Sequence, residues 1–408
     1  MSGSQVLSRR AGRRPDHTVW VALALVVGFV LVRLVVATPL AGFPVASDDF
    51  VDPARTPDAL VITTDSGGYD GQFIYRLALE PWTHERTAHG ITLDNPAYRQ
   101  QRIVTPGLAW TVGLLPGVST LLALLLVNLA ALVVAAVFAA RLARALGRHP
   151  LTGLVLALPA GMPISLGRNL TEPVAWAAVL AGLWYARQRR WPPAAAALTV
   201  AVLARETSLV VVAGLAAAEL IRWAASRGDA GRPGGDPGRD GGAAGPGRAV
   251  VWLALPVTVA VAWQLVLLRI WGVLPVRSGS STNFGGRPLL GVLGTVADGV
   301  PGPAVLTVAV TAERIGVLVL FGYAAWALVT RRAAATGGEA VAWVLAVALS
   351  LAVGGWTSDV QFLRAANEAI GLSVLVALSD RRSRSGRWAL PLAAAIACGV
   401  ALEYAVRQ

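Results

Sequence analysis

Residues 119–148 read STLLALLLVNLAALVVAAVFAARLARALGR, an uncharged apolar run from 119 to 140 followed by Arg141, Arg144 and Arg148. A helix needs roughly 20 apolar residues to cross the hydrocarbon core of a bilayer. This stretch therefore predicts a membrane-spanning helix with a basic end. Because arginine and lysine concentrate in cytoplasmic loops, we expect that basic end in the cytoplasm.

Similar apolar runs recur along the 408-residue chain, which is 55% hydrophobic and only 14% charged. Soluble domains carry roughly 25% charged residues, so this composition excludes an ordinary soluble enzyme. The single cysteine, Cys398, excludes an internal disulfide. The predicted fold is an all-α integral membrane protein with about 11 transmembrane helices, in a range of about 10 to 13. Besides 119–140, the candidate runs are 19–37, 150–167, 172–186, 192–205, 207–225, 249–271, 312–330, 339–356, 362–379 and 388–405.

Arginine clusters give these spans a consistent direction. Four arginines precede the first span, and others follow alternate spans at 187–190, 331–332 and 381–387. A cytoplasmic N-terminus puts all these clusters on the cytoplasmic side of a multi-pass cell-membrane protein. The predicted segments are a cytoplasmic tail 1–17, a first transmembrane helix 18–38, an external loop 39–117 with interfacial helices, transmembrane helices 118–226, a cytoplasmic linker 227–248 and C-terminal transmembrane helices 249–408.

Two segments differ from the pattern of spans. Residues 103–116 are apolar but only about 14 long, and Pro106 and Gly107 interrupt them. We interpret them as a re-entrant or interfacial helix, because a span there would reverse the sidedness of the arginines that follow. Residues 227–248 are dominated by Gly, Pro, Asp and Arg and cannot form a core, which predicts a disordered cytoplasmic linker.

The external loop contains the first candidate site residues. Its segment 65–81 reads DSGGYDGQFIYRLALEP, in which apolar residues recur at helical spacing until Pro81. This pattern predicts a short helix on the outer membrane surface with Asp70 at its N-terminus. Asp70 is then a simple helix N-cap, a general base at the membrane boundary, or both. A helix N-terminus keeps a carboxylate ionised, so Asp70 is the first candidate for the base and Asp65 the second.

Two arginines follow in the same loop. Arg99 and Arg102 are three residues apart and share one face if the segment is helical. A guanidinium pair at the outer interface suits a phosphate, because the planar fork matches phosphate oxygens. Snorkelling toward lipid headgroups explains the same pattern equally well.

Ionisable residues also stand against apolar runs at Glu172, at Arg205 with Glu206, and at the start of a late run, where Arg364 and Glu368 stand with Asn367. A charge deep in a bilayer costs roughly 2.5–3.5 kcal/mol on insertion scales, so such residues usually face a cavity or a partner. We expect Arg205 to share one external cavity with Arg102. A local ion pair at an exposed turn is the alternative for Arg205 and Glu206.

Other kinds of site are not indicated. The four histidines are scattered without metal-binding spacing, so no metal site and no cofactor are predicted, with a divalent cation left open. No nucleotide-binding motif is present. The arginines lie between apolar runs rather than in a patch of the kind that binds nucleic acid.

The order of one span, a large acidic external loop and many further spans resembles the GT-C superfamily of polytopic membrane glycosyltransferases. Residues 68–78 resemble the acidic motif of the first loop there, and 98–106, 170–173 and 203–207 resemble segments of actinobacterial members. The likeness covers about residues 18–225. Many members carry two neighbouring acids, but Gly71 follows Asp70 here, which leaves open whether Asp65 or Asp70 is the base.

The resemblance implies transfer of a hexose or pentose from a polyprenyl phosphate to a glycan, glycolipid or protein acceptor on the external face. One base and a phosphate leaving group suit direct displacement with inversion. Asp70 or Asp65 would act as the base. The donor phosphate would be bound by Arg99, Arg102 and Arg205. Supporting roles fall to Tyr69, Gln72, Glu172, Glu206 and Arg364.

A lipid or solute transporter without catalysis is the alternative. Transporters place broken helices and paired charges near the bilayer midplane, often in two related halves. In this sequence the charges gather at one face and no internal repeat is visible, which favours the enzyme.

Overall fold

The computed structural model describes residues 39–64, 66–230, 246–278, 304–352, 363–364 and 366–380, together with residue 297 and seven positions between 20 and 28. Over these residues the chain is mostly helical. The helices are α1 (Asp70–Leu79), α2 (Pro96–Gln100), α3 (Val104–Gly113), α4 (Thr120–Ala145), α5 (Gly153–Ala157), α6 (Met162–Gly167), α7 (Glu172–Arg187), α8 (Trp191–Ala204), α9 (Leu209–Ala230), α10 (Pro246–Trp271), α11 (Pro275–Ser278), α12 (Ala304–Val329), α13 (Gly337–Ala352) and α14 (Asn367–Leu378).

Four helical segments among the described residues are long and apolar enough to cross a membrane. They are Thr120–Ala145, Glu206–Ser226, Gly247–Trp271 and Val310–Val329. The apolar helices α8, α13 and α14 are shorter. The long apolar helices indicate a membrane protein, as the composition does, whereas the predicted total of about 11 spans goes beyond them.

The apolar run 150–167 does not form the single span predicted for it. A 3₁₀ turn at Pro150–Thr152 and the short helices α5 and α6 occupy it instead. Leu158 leaves the helical conformation, with φ −121° and ψ 63°. The cause is Pro159, because a proline ring disfavours helical backbone in the residue before it.

The predicted linker 227–248 is helical at both ends. Helix α9 continues to Ala230 and α10 begins at Pro246, a residue type favoured in the first turn of a helix. The residues between them lie outside those that the structure describes, as do the predicted run 388–405 and most of 19–37. The described positions between 20 and 28 are helical.

The loop 39–102, predicted to be external, packs onto the helices that follow it. All residues from 71 to 78 are buried, so protein covers both faces of α1, which is not the half-exposed surface helix that its spacing predicts. Phe73 and Leu77 pack with Leu93, and the opposite face of α1 joins the main core that contains α4. The loop is not purely helical: β1 (Ala46–Ser47) pairs in parallel with β2 (Ile62–Thr63), and β3 (Thr87–Ala88) pairs antiparallel with β4 (Ile91–Thr92).

The segment 103–116 contains α3, whose ten residues span about 15 Å. That length is too short to cross a bilayer, in agreement with the prediction of a non-spanning helix. Helix α3 packs against α1, α4 and α8 and connects the loop to the longer helices.

Helix α7 has a buried charge contact at each end, about 24 Å apart for its 16 residues. We call these the Glu172 end and the Arg187 end. Short connections reverse the chain between α7 and α8 and again between α8 and α9, and α7 packs directly against α8. The Glu172 end meets Arg205, just before α9, and the Arg187 end meets the start of α13, where Arg187 pairs with Glu339.

Candidate functional site

Two glycines place the start of α1 against neighbouring backbone. Gly68 adopts φ +63°, and a Cβ there would lie 2.7 Å from the carbonyl oxygen of Val45. A Cβ on Gly71 would overlap the carbonyl oxygen of Arg168. Glycine is therefore the residue that fits at both positions. An acidic side chain at position 71, directly after Asp70, would therefore not fit.

Asp70 is the first residue of α1, and its carboxylate faces three guanidinium groups. Its Oδ1 accepts a hydrogen bond from Arg99 Nη1 at 2.5 Å. Its Oδ2 lies 2.5 Å from Arg364 Nη2 and 3.7 Å from Arg102 Nη1. The N-cap position belongs to Tyr69, whose side chain makes no capping hydrogen bond. The interpretation of Asp70 as a simple N-cap is therefore wrong.

Both arginines of the loop have a second carboxylate partner. Arg99 makes a bidentate pair with Asp94, with N–O distances of 2.8 and 2.6 Å. Arg102 makes another with Glu206, at 2.9 and 2.6 Å. Bidentate pairs fix orientation as well as adding energy. Arg102 thus links the loop to the turn between α8 and α9, and neither arginine snorkels to the surface.

Glu172 connects the remaining arginines. Its Oε1 accepts a hydrogen bond from Arg364 Nε and lies 3.6 Å from Arg205 Nη1. Arg205 also lies 3.7 Å from Glu368 and donates to the carbonyl oxygen of Arg364 at 2.7 Å. The Arg205 side chain is only 6% exposed, so the alternative of an ion pair at an exposed turn is wrong. Arg364 joins this group to Asp70.

These contacts form one continuous group of charges, which we call the Asp70 cluster. Five carboxylates face four guanidinium groups, and each of these side chains is less than one third exposed. An anion that enters therefore competes with carboxylates for these arginines, although Nε and Nη1 of Arg205 have no hydrogen-bond partner. The members are Asp70, Asp94, Arg99, Arg102, Glu172, Arg205, Glu206, Arg364 and Glu368.

The arginines govern the ionisation of Asp70. Burial raises the pKa of the Asp70 carboxyl, but Arg364, Arg99 and Arg102 lower it by more, so its pKa lies well below the usual range. The prediction of an ionised Asp70 agrees with this direction, but it attributed the low pKa to the helix N-terminus and not to arginines. A carboxylate held in this way is ionised yet weakly basic.

Several buried polar atoms beside the cluster have no hydrogen-bond partner. They include both amide atoms of Asn169, Thr171 Oγ1, Glu172 Oε2 and Asn367 Oδ1, besides Nε and Nη1 of Arg205 and the Tyr69 hydroxyl. Asn169, Thr171, Glu172 and Asn367 are each at most 1% exposed. An unsatisfied buried polar atom costs about 1–3 kcal/mol, and native proteins contain few. Stability alone does not explain why so many stand together.

The structure brings most of the predicted site residues together. Asp70, Arg99, Arg102, Glu172, Arg205, Glu206 and Arg364 all belong to the Asp70 cluster. Tyr69 lies beside it, with the guanidinium carbons of Arg168 and Arg364 at 4.1 and 5.5 Å from its ring centroid.

Two predicted residues do not join the cluster. The Gln72 side chain accepts a hydrogen bond from the Ser47 backbone N–H at 3.0 Å and donates to the Gly67 carbonyl oxygen at 3.1 Å. Gln72 therefore holds the loop together instead of facing the charges. Asp65 lies outside the residues that the structure describes.

Sequence reasoning assigns no role to two carboxylates of the cluster. Glu368 stands out in the same apolar run as Arg364, four residues later, but only Arg364 is given a role there. Asp94 stands among many loop acids, and nothing in the local pattern distinguishes it. Asp94 accepts a hydrogen bond from the backbone N–H of Asn95 at 2.6 Å, and the Asn95 side chain caps α2 by accepting from the Tyr98 N–H.

Over the described residues, no group of three or more His, Cys, Asp or Glu side chains is placed to hold a metal ion. No protein-family model, no curated protein and no solved structure matches the chain. The likeness to polytopic glycosyltransferases therefore rests on the quoted residues.

Proposed function

We propose that this chain is a membrane glycosyltransferase that moves a sugar from a polyprenyl-phosphate carrier to an acceptor on the external face of the cell membrane. The observation that carries the proposal is the contact of Asp70 with Arg99, Arg102 and Arg364. In this contact a carboxylate that can accept a proton lies beside guanidinium groups that suit a phosphate, near the ends of apolar helices. A lipid-borne donor needs its reactive phosphate at such a boundary.

The proposed reaction is a direct displacement with inversion. The oxygen of an acceptor hydroxyl bonds to the anomeric carbon while the bond from that carbon to the phosphate oxygen breaks. The hydroxyl proton passes to the Asp70 carboxylate, and polyprenyl phosphate leaves with the electron pair. Arginine side chains stabilise the charge that develops on the leaving phosphate.

The ion pairs of Asp70 imply that the donor binds before Asp70 accepts the proton. In the free protein the three arginines keep the pKa of Asp70 low and its basicity weak. A donor phosphate attracts the same guanidinium groups, and each arginine that turns toward it leaves Asp70 with a higher pKa. Donor binding therefore strengthens the base before the acceptor reacts.

Contacts between helix ends support the proposed sidedness. Glu172 and Arg205, both predicted external, meet in the Asp70 cluster. Arg187, predicted cytoplasmic, pairs with Glu339, which follows a predicted cytoplasmic loop. We propose about 11 spans, a cytoplasmic N-terminus and an external active site.

Transfer from a radiolabelled polyprenyl-phosphate sugar by protein reconstituted in liposomes tests the proposal. Asp70→Asn keeps the size of the side chain but removes the base. We expect it to insert and to bind donor, with turnover reduced about 10²-fold or more, the usual contribution of a positioned base.

Asp58→Asn is the matched control. Asp58 lies in the same loop but accepts a hydrogen bond from the Tyr75 hydroxyl at 2.9 Å, away from the cluster. We expect its turnover to match that of the unmodified protein. Near-normal transfer by the Asp70→Asn protein would falsify the assignment of the base, and no transfer by the unmodified protein with hexose or pentose donors would refute the enzyme.

A transporter without catalysis is the second candidate, and the helix break at residues 158–161 is the observation that favours it. A broken helix next to buried charges is typical of transport sites. The same liposomes distinguish the two functions. A transporter moves the intact lipid-linked sugar between leaflets and leaves the sugar–phosphate bond uncleaved.

A further inference from the structure

Four of the residues with unpartnered buried atoms at the Asp70 cluster lie on two segments, which the contact between Glu172 and Arg364 joins. Asn169, Thr171 and Glu172 occupy the turn into α7 and its first residue, and Asn367 begins α14. All four side chains are buried, yet each has at least one nitrogen or oxygen without a hydrogen-bond partner. Buried groups of this kind normally bind water, an ion or a ligand.

These residues are tied directly to Asp70. Glu172 contacts Arg364, which lies three residues before Asn367 and contacts Asp70 through its Nη2 at 2.5 Å. The carbonyl of Arg168, next to Asn169, approaches Gly71 so closely that no side chain fits there. The unpartnered atoms therefore belong to the neighbourhood in which the proposed reaction takes place.

The backbone fixes the Asn169 side chain at this place. Asn169 adopts φ +53°, a left-handed conformation that asparagine tolerates better than most residues. This conformation turns the chain between α6 and α7. Neither amide atom of Asn169 bonds to the backbone of that turn, so the side chain is not retained for a local cap.

The chemistry of the free atoms selects the kind of ligand. An amide nitrogen donates, the Asn367 and Glu172 oxygens accept, and the Thr171 hydroxyl does both. A phosphate offers acceptors and no donor at neutral pH, so it would leave the oxygens unsatisfied. Neutral hydroxyl groups both donate and accept, so they satisfy the unpartnered atoms of these four residues, whereas the unpartnered Nε and Nη1 of Arg205 suit the phosphate.

We propose that Asn169, Thr171, Glu172 and Asn367 form a subsite for the hydroxyl groups of a neutral sugar, beside the arginines that take the phosphate. This inference rests on the proposed function. Two sources of hydroxyls share this chemistry, namely the sugar of the donor and the acceptor glycan.

Thr171→Val tests the subsite, because it removes the hydroxyl and keeps the shape. If that hydroxyl serves only a ligand, its loss leaves the folded protein as stable as before or slightly more stable. We expect an unchanged or raised unfolding midpoint and binding of polyprenyl-phosphate hexose or pentose weakened about tenfold or more. Affinity for sugar-free polyprenyl phosphate should stay the same.

Two variants accompany it. Asn169→Gly retains the left-handed backbone and removes the amide, and it should show the same loss of affinity for the sugar. Thr199→Val is the matched control, since its hydroxyl already donates to the Ala195 carbonyl oxygen within α8. It should bind both lipids normally.

The outcomes separate the subsite from the proposed function. A higher KM for acceptor with unchanged donor affinity supports the subsite and assigns it to the acceptor. Equal loss of affinity for the sugar-bearing and sugar-free lipids in Thr171→Val and Asn169→Gly overturns the subsite. Unchanged affinity for both lipids together with an unchanged KM for acceptor overturns it as well, while turnover by the unmodified protein still supports the enzyme. Absence of both binding and turnover in the unmodified protein overturns both proposals.

Discussion

Helix α7 carries a buried contact between glutamate and arginine at each end, and the two contacts differ in how completely they are satisfied. At the Arg187 end, Arg187 donates to both oxygens of Glu339 at 2.5 and 2.6 Å. Glu339 also accepts from the Thr336 N–H, while the Thr336 hydroxyl accepts from the Glu339 N–H. This reciprocal arrangement is a capping box at the start of α13, and both carboxylate oxygens are used.

At the Glu172 end only one of the two carboxylate oxygens of the glutamate has partners. Arg364 and Arg205 both contact Oε1 of Glu172, and its Oε2 has no hydrogen-bond partner. Asn169 and Thr171 beside it are unsatisfied as well. The comparison teaches that a buried charge does not by itself mark a functional site. Unused hydrogen-bonding capacity next to shared charges is the more specific sign.

The largest effect should come from breaking the complete pair. Arg187→Gln leaves Glu339, which is 1% exposed, charged and without its bidentate partner. We expect a loss of about 3–5 kcal/mol in the free energy of unfolding, the usual result of removing one member of a buried pair. Chemical unfolding of the purified protein in detergent measures it. Transfer per folded molecule should not change.

A double replacement provides the control for this prediction. Arg187→Met combined with Glu339→Leu removes both charges and should recover much of the stability, because apolar residues often replace a buried ion pair without loss. A loss below about 1 kcal/mol in Arg187→Gln would contradict a structural role for the Arg187 end. A fall in transfer per folded molecule would contradict the separation of the two ends.

Sequence reasoning found charges at both ends but not the difference between them. Apolar run lengths predicted the positions of most helices, and Pro159 shows where that reasoning fails, since one ring ends a helix inside an apolar run. The burial of α1 was not predictable either. Its helical spacing is visible in sequence, but the loop that covers its second face comes from residues scattered between Phe50 and Leu93.

The residues of the site could be predicted from the sequence, but the pairs that they form could not. Each charge of the Asp70 cluster stands out locally against apolar sequence, which is why Glu172, Arg205 and Arg364 were selected. The pairing of Arg102 with Glu206 joins residues 104 positions apart. No local pattern encodes such a contact, because it depends on the packing of α3 and α8.

A smaller effect should follow from a change that touches only the Glu172 end. In Gly71→Ala the new methyl group overlaps the Arg168 carbonyl oxygen and pushes the start of α1 away. We expect a loss of about 1–3 kcal/mol in unfolding free energy, as for other overpacked sites. Transfer should fall as well, because Asp70 moves with α1.

Gly67→Ala is the matched control for this steric argument. A Cβ on Gly67 meets no atom within 4 Å, so stability and transfer should remain close to normal. Similar behaviour of the two alanine variants would show that the close approach at Gly71 does not position Asp70.

The smallest expected effect is a change in the free energy of unfolding at acid pH. It measures how much the ionised Asp70 carboxylate contributes to the stability of the protein. Arg364, Arg99 and Arg102 outweigh burial and keep the pKa of Asp70 below its usual range in the folded protein, while in the unfolded chain it returns to about 3.9. Below about pH 4 the unfolded chain then takes up a proton that the folded protein does not. The stability due to ionised Asp70 is therefore fully present above that pH and decreases as the pH falls toward the folded-state pKa.

Unfolding free energies of the unmodified protein and of Asp70→Asn, measured from pH 8 to pH 3, test this linkage. The difference between the two should be constant from pH 8 to about pH 5 and should then narrow by at most about 1.4 kcal/mol per pH unit. Parallel curves for the unmodified and Asp70→Asn proteins down to pH 3 would mean that the three arginines do not stabilise the Asp70 carboxylate. The order of donor binding before proton transfer would then lose its physical basis, because Asp70 would be an ordinary base whether or not the donor is bound.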